Sequence, residues 1–214
     1  MAKAKQRKTA KARPAKTRTI RKPVKKAKAA PKAKAATKAK ATAKAKKPAA
    51  APAPGEKHQF LNAFRREHAT TMKVMKAFPA DKHAFQPHAR SSSAKRLMWT
   101  FAVEQALIGA ALEGALKMPL TFPPEPETLG EVLEAFEAGG RGLIEKIERA
   151  PESRLMGTAP FFTGPGQVGD VRVGDLMWMM LMDSIHHRGQ LSVYVRMAGG
   201  LVPSIYGPSA DEPW

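Results

Sequence analysis

The sequence predicts an all-α fold: a four-helix bundle preceded by a disordered basic arm. Three observations lead there. Charge is segregated along the chain, four long segments carry helical apolar spacing or helix caps, and no segment alternates convincingly as a strand. Of the 37 Lys and Arg, 20 lie in residues 1–55, where there is no Asp or Glu; the other 17 face 18 acids, so the +19 excess belongs to the arm and the remainder carries −1. A uniformly basic domain would spread that charge over its surface. The domains expected are therefore residues 1–55, arm and linker, and residues 56–214, a helical body.

Residues 25–47 approach a Lys-Ala alternation, with Pro23, Pro31 and Pro48 as punctuation and only Ile20 and Val24 as bulky aliphatic side chains. Such a segment cannot bury enough apolar surface to offset chain entropy, and its like charges repel. Disorder is the expectation for the free chain. Lysines meeting phosphates release counterions, which gives salt-sensitive, sequence-independent binding. The residues expected to make those contacts are Lys25, Lys26, Lys28, Lys32, Lys34, Lys38, Lys40, Lys44, Lys46 and Lys47. The arm has no aromatic residue for base stacking. Its composition resembles the Lys/Ala/Pro tails of linker histones and bacterial histone-like proteins, which implies non-specific DNA or RNA partners and a cytoplasmic, nucleoid-associated location. Rival readings are an organelle transit peptide, disfavoured by the excess of Lys over Arg, and a solubilising or anionic-membrane tail. The sequence has no Cys, which excludes disulfides, thiolate metal sites and a cysteine nucleophile. No apolar run reaches the roughly 20 residues of a membrane span.

Residues 48–55 read as a Pro/Ala linker. A first helix is expected over 58–78, with Phe60, Phe64, Met72 and Met75 as its apolar stripe and Pro79 as its stop. Ser91–Ser93 offer N-caps for a second, mostly apolar helix over 94–117. Prolines 119, 123, 124 and 126 then interrupt, and Thr128 with Glu131 has capping-box spacing for a third helix over 129–149, weakened by Gly139, Gly140 and Gly142. The glycine-rich stretch 151–170 reads as a loop. A fourth helix follows over 173–197, ended by Gly199 and Gly200. The longer second and third connections permit a crossover topology.

The chemistry concentrates in the fourth helix. Asp183 and His187, four residues apart, project from one helical face and have the spacing to hold one metal ion. Gln190 and Tyr194 continue that face, whereas His186 points about 100° away. Arg188 and Arg196 read as solvated side chains or partners of the helix C-terminus. Met177, Met179, Met180 and Met182 read as core or dimer packing, which makes a homodimer an expectation, and Trp99 and Trp178 as core or interface.

The run His186-His187-Arg188-Gly189-Gln190, then Tyr194-x-Arg196, and the Pro203…Tyr206-Gly207-Pro208 ending resemble the C-terminal helix of the DinB/YfiT-like superfamily. Residues 87–99, PHARSSSAKRLMW, resemble the approach to that family's second helix. The resemblance covers residues 58–214 and implies a four-helix bundle, a bacterial source and, in many members, a metal. The family's activities include thiol-dependent transfer, isomerisation and hydrolysis. Its metal is typically held by one second-helix His and an H-x-x-x-H pair on the last helix. Here His187 matches the second of that pair, Asp183 stands at the first, and Thr100 stands where the second-helix His should fall. Glu104, one turn later, is the candidate replacement.

Two readings remain open at this level. In one, Asp183, His187 and Glu104 form a mixed oxygen/nitrogen site for one divalent metal, suited to Zn, Ni, Fe or Mn. In the other, the site has decayed and Asp183 and His187 are a hydrogen-bonded pair inside the bundle. Functionally, the chain reads as a DinB-like bundle tethered to nucleic acid, or as a metal-dependent small-molecule transferase or hydrolase that the arm merely localises. No catalytic residue is singled out, although Asp183 could orient His187 as a general base.

Overall fold

The structure is a computed structural model in which residues 54–214 are described; the ten lysines expected to contact nucleic acid lie outside them. Among the described residues there are four α-helices and one two-stranded sheet, in the order α1 (Glu56–Lys76), α2 (Ala94–Glu113), α3 (Leu129–Arg149), β1 (Thr158–Gly164), β2 (Gln167–Arg172) and α4 (Val173–Met197). No helix of the described residues is long and apolar enough to cross a membrane.

Local chemistry sets the helix ends. α1 starts two residues before the predicted position, where Glu56 is held by two bonds from Arg172, at 2.8 and 2.9 Å. Its predicted stripe is buried throughout. Ser93 caps α2 by accepting from the Arg96 amide at 3.2 Å. α2 stops at Glu113, short of the predicted Lys117, because Gly114 takes the left-handed conformation (φ 72°) that favours glycine. Arg154 then donates to the last-turn carbonyls of Ala111 and Leu112, at 2.5 and 2.7 Å. The capping box at Thr128 and Glu131 is present, and α3 has the predicted bounds.

The three α3 glycines do not break the helix. A Cβ at Gly140 would lie 2.0 Å from Nε2 of His68, and one at Gly139 would lie 2.6 Å from Oε1 of Gln105. These glycines admit side chains from α1 and α2 against the α3 backbone, which is their reason for being in a helix despite a cost of about 1 kcal/mol each relative to Ala.

The expectation of a loop over 151–170 needs correction. A short 3₁₀ turn, Glu152–Met156, leads into an antiparallel hairpin pairing Thr158 with Arg172 and Phe161 with Gly169, irregular between Phe162 and Gly164. Gly166 (φ 68°) makes the tight reversal, and alternation along β1 buries Ala159 and Phe161 while exposing Phe162. Tertiary packing of that one face outweighs the glycine content.

α1 and α2 do not pack side by side. Each of them packs against both α3 and α4, so the helices run α1–α3–α2–α4 around the bundle. The first and third connections therefore cross diagonally, whereas the second joins neighbours. The core falls into two apolar clusters, one built on Phe60, Phe64, Ile108, Ile147 and Met177, the other on Met75, Met98, Phe101, Val132 and Leu191. On every helix the sequence between the two clusters is where polar or glycine residues intrude: Glu67, His68 and Thr71 on α1, Glu104 and Gln105 on α2, Gly139 and Gly140 on α3, and Asp183, Ser184, His187 and Arg188 on α4. A polar layer thus divides the bundle, and it holds the candidate site.

Candidate metal centre

Glu104 is carried into the layer by α2, and its side chain is only 4% exposed. Its Oε1 lies 3.0 Å from Nδ1 of His187, and its Oε2 accepts from the Ser184 hydroxyl. Asp183, one turn before His187 on α4, has an oxygen 3.9 Å from the same Nδ1. That is too long for the Asp183–His187 hydrogen bond expected of a decayed site. The imidazole partner is Glu104. One ligand atom each from Glu104, Asp183 and His187 can be chosen so that all lie within 4.8 Å of one another. The three residues named from sequence are thus brought together.

Thr100 takes no part. Its hydroxyl donates 3.2 Å back to the Arg96 carbonyl, a local bond within its own helix. The side chain that reaches from α2 comes one turn later, so a carboxylate replaces the imidazole that the resemblance implied. His186 is exposed and accepts from the Gln190 side-chain amide at 2.8 Å. Tyr194 is buried and donates to the Ser92 carbonyl at 3.3 Å, a structural contact.

Electrostatics favour a cation here. Burial pushes the Glu104 carboxyl above the ordinary carboxylate range, partly offset by its bonds from His187 and Ser184. The Glu104 contact draws the His187 imidazole upward, against its own desolvation. The pair therefore tends to retain a proton between its members. A divalent ion held there would satisfy the same two groups in place of that proton, since carboxylate and imidazole ligate in their deprotonated forms. The donor set of two carboxylates and one imidazole fits the Zn, Ni, Fe or Mn class named from sequence and disfavours a soft metal. The described residues place no fourth His, Asp or Glu in the group.

Sequence reasoning missed the other half of the layer. Arg188 is fully buried, which corrects its reading as a solvated side chain. Its Nη1 lies 2.8 Å from Oε2 of Glu67 and 3.4 Å from the Thr71 hydroxyl, and its Nη2 donates to the Tyr206 hydroxyl. Tyr206 in turn donates to Glu67 at 2.6 Å. Arg196, by contrast, is exposed and paired with Asp211 near the helix end. His68 stacks on Phe136 with centroids 4.4 Å apart, and burial holds its imidazole below the usual value, so it is neutral. Its Nε2–H donates to the Phe136 carbonyl at 3.2 Å. The available signal was helical spacing: Arg188 stands seven residues after Leu181 and three and seven before Leu191 and Val195, on one stripe with those three buried side chains.

The methionine group divides. Met177 and Met180 are core, while Met179 and Met182 are exposed. Trp99 is buried, and Trp178 meets Phe60 edge-on at 5.1 Å.

Comparison with known proteins agrees with the architecture. The model of the DinB family matches residues 45–213. The chain is 20% identical over 153 residues to YrdA of Bacillus subtilis (strain 168), an uncharacterized protein, covering 72% of this chain and 89% of that one. Among solved structures, a DinB-like protein from Bacillus cereus ATCC 10987 superposes with a TM-score of 0.58 at 17% identity, covering 70% of this chain and 97% of that one. A DinB-like protein of Bacillus subtilis, YjoA, gives 0.54 at 21% identity, with 66% and 92% covered.

Proposed function

From the premise that this chain belongs to the DinB family, we propose that its bundle binds one divalent metal through Glu104, Asp183 and His187. The observation that carries this reading is Glu104: an acid buried at the centre of the bundle, hydrogen-bonded to His187, with Asp183 completing a group of three. A divalent cation held by these residues supplies Lewis-acid polarisation of an oxygen-bearing ligand. Within the chain, Ser184 orients the Glu104 carboxylate, Phe101 packs its ring edge-on to His187 at 6.4 Å, and Asp183 stands at the solvent edge of the group. A metal-dependent transfer or hydrolysis on a small molecule is the chemistry this arrangement suits, and no nucleophile of the chain is assigned to it.

The test is elemental analysis of the full chain purified without chelators, together with thermal unfolding as Zn, Ni or Mn is added. Stoichiometric metal, lost in His187→Ala and in Glu104→Gln, is expected. Metal-free protein whose unfolding is unmoved by all three ions refutes the reading.

The segregated charge supports a second element of function. Residues 1–55 tether the body non-specifically to DNA or RNA, which would place the protein on the nucleoid in the cytoplasm. With several lysines engaged, affinity for a DNA duplex should fall by roughly a thousandfold or more between about 50 and 200 mM salt. A chain lacking residues 1–55 should lose this binding; full affinity retained at low salt would rule the tether out.

A further inference from the structure

Asp183 faces two ways. Inward it belongs to the Glu104–His187 group; outward it lines a surface hollow of about 570 Å³ with His186, Met179, Met182, Phe161 and Phe162. The spacing explains the continuity. Met179, Met182, Asp183 and His186 stand at i, i+3, i+4 and i+7 on α4 and so form one stripe. The β-hairpin walls its flank with Phe161 and the half-exposed Phe162. Met182 is 62% exposed, Phe162 50% and Met179 38%, so three large apolar side chains converge on one hollow in contact with water. Scattered apolar residues on a surface need no explanation, but a cluster beside a titratable group does.

We propose that this hollow is the subsite for the body of a small amphiphilic ligand, whose oxygen-donor head meets the metal group at Asp183 and whose apolar alkyl or aryl body lies on Met179, Met182 and Phe162. The proposal rests on the metal reading above and names the class of molecule that site takes. The hollow is shallow and open, which suits a body laid along the surface of α4 rather than one enclosed by it. Charge points the same way. A divalent cation held by Glu104 and Asp183 would draw an oxygen donor to that end, while Met179, Met182 and Phe162 present apolar side chains along the rest of the hollow. Methionine suits the role because its unbranched thioether reshapes around different apolar groups, which makes the subsite tolerant in shape and selective for apolarity.

The experiment compares acetohydroxamate with octanohydroxamate as probes, by calorimetric titration of the full chain loaded with Zn. The two share a chelating head and differ in an apolar tail. Octanohydroxamate should bind at least about tenfold more tightly, since each buried methylene adds to the affinity. In Met182→Ser and Phe162→Ser that preference should shrink to about twofold or less, with acetohydroxamate affinity and zinc content unchanged. Zinc uptake and acetohydroxamate binding without a tail preference overturn the subsite and leave the metal centre standing. A tail preference that survives both substitutions places the tail elsewhere and overturns it too. Failure to take up zinc, and equally nickel or manganese in its place, overturns both readings. Sedimentation of the same proteins supplies the remaining outcome: a wild-type dimer that both substitutions convert to monomer, with no tail preference, makes this face an interface between two copies and rejects the ligand subsite.

Discussion

Replacing Arg188 by Met removes a buried cation while keeping a long apolar stem in its place. The guanidinium is 1% exposed and its partner Glu67 13%, so the cation has no water as a substitute partner and the carboxylate little. Breaking such a pair from one side costs about 3–5 kcal/mol, because the remaining charge is left uncompensated. Glu67 keeps the Tyr206 hydroxyl as a donor and is partly exposed, which puts the expectation at the lower end, about 3 kcal/mol. For a domain of this size that corresponds to a fall of roughly 6–12 °C in Tm. Urea unfolding of the full chain, followed by far-UV circular dichroism, should show the midpoint shift with an unchanged slope. The double variant Glu67→Leu with Arg188→Met should recover to within about 1 kcal/mol of the wild type, since an apolar pair of similar volume replaces a buried ion pair at little cost. A loss below about 1 kcal/mol in the single variant would mean that water screens the pair. No recovery in the double variant would mean that Thr71 and Tyr206, rather than the charge balance, set the cost.

Two further predictions concern the same polar layer. In metal-free protein, Glu104 and His187 both have folded-state affinities for protons raised above their ordinary values. The folded state then binds more protons than the unfolded, so their contribution is present in acid and is lost as pH rises, first from the ordinary carboxylate range and then past the ordinary imidazole value. Urea midpoints of wild type minus Glu104→Gln, taken from pH 5 to 8.5 with chelator, should fall with pH, by at most about 1.4 kcal/mol per unit for each proton; a difference that is flat or rising refutes the assignment. The opposing contribution of His68 is common to both proteins and cancels. On α3, Gly140→Ala should destabilise by about 1–2 kcal/mol, the overlap with the stacked His68 ring exceeding the gain in helix propensity. Gly142→Ala, with nothing within 4 Å of the new methyl, should stabilise by about 0.5–1 kcal/mol, and equal effects at the two positions would show that His68 does not fill the notch.

Most of the helical architecture was legible because its signals are local. Caps at Ser93 and Thr128, the stop at Pro79 and the apolar stripe through Phe60 and Phe64 each act over a few residues, and α3 and α4 have the bounds those signals imply. The hairpin was not legible, because its strands are fixed by packing Ala159 and Phe161 onto the bundle. The end of α2 was missed for a related reason: Gly114 is one glycine among many until Arg154, forty residues away, supplies donors to the carbonyls it leaves open. Asp183 and His187 were legible from helical spacing alone. Glu104 was named only as a substitute, since which face of a largely apolar helix turns inward depends on neighbours that the sequence does not order.

The α2 side chain that reaches His187 comes one turn after Thr100, and the layering of the bundle accounts for that position. An imidazole at residue 100 would project from a turn that is half-buried and beside the apolar cluster of Met98 and Phe101. A carboxylate at residue 104 stands level with Gln105, Ser184 and His187, in the stratum where Gly139 and Gly140 already make room for polar side chains from two helices. Burying an acid there is costly unless a cation shares its field, and the layer's two inward-facing acids, Glu104 buried and Glu67 partly so, have different solutions. Glu67 has Arg188 as a permanent counter-charge, held by a salt bridge and closed over by Tyr206. Glu104 has only an imidazole and a hydroxyl, partners that suffice while a proton is present and fall short when it is not. One bundle cross-section therefore contains an acid with a permanent counter-charge and an acid without one. That asymmetry, more than the survival of any single motif residue, is what the proposal of a metal at Glu104, Asp183 and His187 rests on.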